Sequence, residues 1–186
     1  MTTNSMQSTG LSTDAGRSAP ATADTGLLIL RIALAATMLQ AGLIKALDFS
    51  TTAGFMESSG WSLPTFAALM VTAAETLGGL GLLFGFLTPL AACAVIGAMV
   101  DAWAVNVSAG AFWSQPFNVP FLVAFGAAAL LFTGAGRWSV DHRLFGRSTV
   151  PRAIAVGLLV AGVAAAILTW ILLNGVNPIH FRAPEG

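Results

Sequence analysis

Glu75 and Asp101 are the residues best placed to do chemistry, because each lies well inside an apolar stretch, residues 63–86 and 89–107 respectively. An ionised side chain in such surroundings is either half of a structural pair that holds helix register or the mark of a ligand, ion or proton path. Beside a cation, a buried carboxylate can accept a proton or anchor the polar head of a ligand. The groups available to serve these two are Arg31, Lys45 and Gln40, all in the apolar stretch 26–47. Together they make the candidate polar site.

The elements that must position these residues follow from composition. The chain has eight Lys+Arg and eight Asp+Glu in 186 residues and is 56% hydrophobic, with a mean hydropathy of +0.81. Soluble domains carry about a quarter charged residues, so this is expected to be a membrane protein. A hydrocarbon core of about 30 Å is crossed by roughly 20 helical residues. Residues 26–47, 63–86, 89–107, 117–134 and 153–173 each qualify, the fourth being the shortest. Lipid offers no partners to open backbone, and these stretches far exceed the alternating segments of a barrel, so the expected fold is an all-α integral membrane bundle.

Residues 1–24 are rich in Ser, Thr, Ala and Gly and read as a flexible polar tail. Residues 25–147 read as a four-helix membrane core, 148–174 as a fifth transmembrane helix and 175–186 as a polar C-terminal tail. Residues 26–47 are too long for a signal-peptide core and follow Asp24 rather than a base, so the first span is expected to be retained. Arg137, Arg143, Arg147 and Arg152 crowd the connection between spans four and five, whereas residues 48–62 and 108–116 hold no Lys or Arg. That bias predicts a plasma-membrane protein with a cytoplasmic N-terminus and an outer C-terminus. Topology alone accounts for these bases. Trp61, Trp113 and Trp170 near outer span ends and Trp138 near an inner one read as interfacial anchors.

Counting about 1.5 Å per residue places Arg31 about 8 Å from the cytoplasmic side and Glu75 about 18 Å from the outer side. In a core of about 30 Å the two come within reach, so an Arg31–Glu75 pair is expected. Asp101 falls in the outer half, with Lys45 favoured over Gln40 as its partner because Lys45 shares the helical face of Arg31. Thr72, Glu75, Thr76 and Gly79 share one face of span two; Cys93, Gly97, Asp101 and Val105 share one face of span three. These stripes permit close helix packing or leave a slot for a ligand. Ala74/Gly78, Gly81/Gly85, Ala94/Ala98/Ala102 and Gly157/Ala161/Ala165 are spaced for packing in the same way.

Several chemistries are excluded or disfavoured. Cys93 stands alone, so no intrachain disulfide or CxxC relay forms. His142 and His180 lie outside the spans, leaving no His for a haem or metal site within the bundle. No glycine-rich phosphate loop is present, and neither a nucleotide nor nucleic acid is expected as a partner.

Leu30-Arg31, Gly42 with Lys45, Glu75 before Gly78-Gly79-Leu80-Gly81, and the run from Gly134 through Gly136, Arg137 and Ser139 to Asp141 resemble, in order and spacing, the DoxX family of small bacterial membrane proteins. The resemblance covers about 120 residues, 26 to 147. Ala41 stands where many members have His, and Asn118 where many have Glu, so roles tied to those side chains do not carry over. The resemblance implies a four-helix unit associated with redox systems, with the fifth span as an extension or docking helix. Catalytic residues are not implied. On that basis the function expected is a membrane subunit of a redox or respiratory complex, binding a quinone-like or other apolar small molecule, with lipid and membrane or peripheral redox proteins as partners. No redox ligand set is present in the chain, so electrons would come from a partner. A non-catalytic scaffold that docks membrane proteins is the alternative, and a small-molecule transporter the third reading, weakened by the absence of a visible inverted repeat.

Overall fold

The computed structural model describes residues 12–146 and 148–182. Within them every regular element is a helix: α1 (Ser12–Leu47), α2 (Phe49–Ser58), α3 (Pro64–Phe84), α4 (Thr88–Ser108), a 3-10 turn at Phe112–Ser114, α5 (Val119–Thr133), α6 (Val140–Phe145) and α7 (Arg152–Leu173). The all-α expectation is met. Residues 1–11 of the expected polar tail, Arg147 and residues 183–186 lie outside the described residues, while α1 begins at Ser12, inside the stretch expected to be a tail.

Among the described residues, four helices are long and apolar enough to cross a membrane: residues 22–47, α3, α4 and α7. The expected fourth span is α5, which has 15 residues and so extends only about 22 Å. Pro120 in its first turn and Gly134 at its end, with φ 79°, define its limits. It nevertheless runs from one end of the bundle to the other. Trp103 Nε1 donates to Pro116 O at 2.9 Å just before α5 begins, and Arg31 reaches Ala135 O just after it ends.

The chain therefore passes along the bundle five times, leaving Asp24 at one end and His180 at the other. Asp24 Oδ1 accepts from Arg137 N, and Phe112 N donates to His180 O. α4 is central and packs on α3, α5 and α7, while α1 lies against α3 and α5. Leu34, Met38, Leu82, Val95, Ala127 and Leu130 fill the core between them. Large apolar side chains such as Ile29, Leu77, Leu122, Val160 and Leu172 point outward, as a lipid-facing surface requires.

The connection 48–62, read from sequence as an outward loop, contains α2. Asp48 caps it by accepting from Thr51 N, and Thr52 and Met56, one turn apart, are buried. The helix packs against α3. The tryptophans divide into two kinds. Trp113 and Trp138 are exposed, as interfacial anchors are, but Trp61 and Trp170 are buried and meet edge-to-face at 5.8 Å. That contact, with Ser62 N donating to Leu173 O, ties the end of α7 to the start of α3.

Candidate functional site

Lys45 and Glu75 form the site's central pair, with Nζ to Oε2 at 2.7 Å and the carboxylate buried. The expected pairing of Glu75 with Arg31 does not occur, nor does that of Lys45 with Asp101. Depth counting placed the Cα atoms but left out side-chain direction: helical side chains lean toward the helix N-terminus. On α1 that lean carries Lys45 down toward Glu75, with Nζ also donating to Ala41 O at 3.4 Å, and carries Arg31 away from Glu75. Gly42 makes the approach possible, because a Cβ there would lie 2.5 Å from Thr76 Oγ1 and 2.8 Å from Thr76 N.

Arg31 serves as a clasp. Its Nη1 donates to Ala135 O (2.7 Å) and Trp138 O (3.1 Å), and its Nη2 to Leu83 O (3.2 Å) and Trp138 O (3.1 Å). One guanidinium thus joins α1 to the end of α3 and to the turn after α5. That turn is the Gly134–Asp141 run. Gly134 and Gly136 adopt positive φ, Ser139 caps α6, and Asp141 accepts from Leu87 N at 2.7 Å and Thr88 N at 2.9 Å, capping α4. Asp141 is structural, its partners being these two backbone amides.

Asp101 faces a cleft of about 600 Å³ lined by α3, α4 and α7 and bounded at one end by Phe55 and Met56 of α2. Lys45, Glu75 and Asp101 all line it, as does the whole stripe Cys93, Gly97, Asp101 and Val105. Gln40 is exposed on α1 and lies outside it. The walls are mainly apolar, with Trp61, Met70, Val71 and Leu173 among them. Two buried polar atoms on its lining residues lack a hydrogen-bond partner among the described residues: Asp101 Oδ1, an acceptor when ionised, and Trp61 Nε1, a donor. Such atoms are costly to leave unmet in low dielectric, and they call for a complementary group.

Small residues account for the cleft's width. Gly78 and Gly81 bring α3 against α4, where a Cβ would meet Val95 and Ala91, and Gly162 brings α7 onto α4 beside Cys93. Ala74, Ala94, Ala98, Ala102, Ala161 and Ala165 instead border the open cleft. Cys93 Sγ lies 3.2 Å from Leu158 O and packs between α4 and α7. Sequence reasoning missed the α7 wall altogether, since an apolar helix with no charge carries no mark of which face it turns to a site. It also missed Trp61, whose interfacial position hid its burial. No group of three or more potential metal ligands occurs among the described residues.

Comparison with known proteins fits this arrangement. The DoxX family model matches residues 26–109, a span that holds Arg31, Gly42, Lys45, Glu75 and Asp101. The chain is 32% identical over 123 residues, 65% of its own length and 93% of the other's, to the inner membrane protein YqjF of Escherichia coli strain K12. No solved structure matches it significantly. On these matches, the chain belongs to the DoxX family.

Proposed function

We propose that this protein is a membrane-embedded binding subunit whose cleft holds an apolar small molecule with a hydrogen-bonding head, of the quinone class, within a redox assembly that supplies the electron-carrying group. The observation that carries this reading is the coincidence of an apolar cleft with an unpartnered acceptor and an unpartnered donor. Its volume of about 600 Å³ falls within the range of about 300–1,000 Å³ typical of small-molecule sites. Trp61 Nε1 suits a carbonyl oxygen, and Asp101 suits a hydroxyl when ionised or a carbonyl when protonated. Lys45 and Glu75 set the charge of the opposite wall while neutralising each other. Orientation belongs to the same proposal. Arg137, Arg143 and Arg152 lie at the end of the bundle that holds Asp24, which makes that end cytoplasmic and the α2 end external. The plasma membrane is the proposed location, in line with the relative's being named an inner membrane protein.

Purification in mild detergent followed by solvent extraction tests the binding reading. A quinone-class molecule recovered near one per chain, and depleted in Asp101→Asn and Trp61→Phe, is the expected result. An empty bundle retained on a stable protein partner would overturn it in favour of a scaffold.

A further inference from the structure

The geometry points to a second, aqueous mouth to the cleft at the α2 end of the bundle, through which water and protons reach Asp101 while an apolar ligand enters sideways from the lipid. The ligand half of this statement rests on the function proposed above; the aqueous mouth does not. A second cavity, of about 860 Å³, lies at that end and carries Ser58, Ser59, Ser108, Ser114 and Gln115 on its walls. Phe55, Val105 and Asn106 line both cavities, so the two are neighbours, and the proposed neck runs between one side chain of α2 and one turn of α4.

Val105 is four residues beyond Asp101 on the same face of α4, which places the carboxylate one turn below the neck. Oδ1 of that carboxylate has no partner among the described residues. Hydroxyls and amides along the upper cavity offer the two to four polar contacts that an ordered water needs. The lateral rim of the cleft is chemically opposite, with half-exposed Phe66 and Met70 on α3 facing Ala161 and Ala165 on α7. The two openings therefore admit different species, polar ones at the end and apolar ones at the side. Phe55 is 53% exposed on a helix whose Asp48 cap is formed, and in this proposal its side chain is the movable part of the neck.

The experiment uses the full chain in proteoliposomes, with Asp101→Cys in a Cys93→Ala background so that residue 101 holds the single thiol. A charged, membrane-impermeant methanethiosulfonate and a lipid-permeant maleimide are the probes. Modification by the charged reagent from one face only, faster in Phe55→Ala and slower in Asn106→Trp, is expected. The unmodified chain gives an independent readout without a substitution at Asp101, because Cys93 lines the same cleft two turns deeper and is expected to label from the same face. Labelling by the permeant reagent alone, in every form of the protein, would overturn the aqueous mouth. The extraction experiment decides the ligand separately: a chain that labels from water yet extracts empty keeps the mouth and loses the quinone reading.

Discussion

Lys45 and Glu75 act as one unit at 2.7 Å, so neutralising either alone strands a charge in low dielectric. Lys45→Met is expected to lower stability by about 3 kcal/mol, and the double change Lys45→Met with Glu75→Gln to recover most of it. Thermal unfolding in detergent measures both, and a double mutant no better than the single would refute the pairing. Gly42→Ala should cost about 2 kcal/mol by forcing α1 off Thr76. Arg31→Lys is expected to lose about 2 kcal/mol in the same assay, since one ammonium cannot reproduce a planar fork shared among three carbonyls. The importance of Arg31, Lys45 and Glu75 was legible from their types and depth. Their partners were not, because the lean of each side chain toward the start of its own helix outweighs the few ångströms that depth counting resolves.

The connection after α5 governs helices that are distant in sequence. Asp141 sits on the six-residue α6 yet caps α4, where Leu87 takes φ 47° before the helix begins. Asp141→Ala should destabilise the bundle by about 1–2 kcal/mol, as loss of a helix cap does, and Asp141→Asn by less because one acceptor remains. The melting temperature in detergent reads the order; equal losses would mean that charge rather than capping dominates. The family motif that ends at Asp141 was visible in sequence. That the turn serves as the seat for Arg31 and the start of α4 depends on contacts between residues more than fifty apart, beyond the reach of local pattern. α7 gives the reverse case: its span was plain from hydropathy, but its place as the cleft's third wall came from Gly162 fitting against Cys93.

Across the described residues, five passes put Asp24 and His180 at opposite ends of the bundle even though α5 has only 15 residues. A reporter fused after residue 182 is expected to be active only outside the cytoplasm, and one fused at the N-terminus only inside. Both reporters on one side would mean that α5 does not cross. The hydropathy of the sequence by itself determined that the chain is a membrane-embedded helical bundle and nearly where its spans lie, because burial of about 20 apolar residues per crossing dominates every competing term. The two buried carboxylates were also marked there, since charge within such a stretch has few explanations. Only the tertiary structure decided that Glu75 is already neutralised by Lys45 while Asp101 faces a cleft with an unmet oxygen. That division arises from how α3, α4 and α7 pack around small residues, and packing depends on side-chain direction and on neighbours remote along the chain.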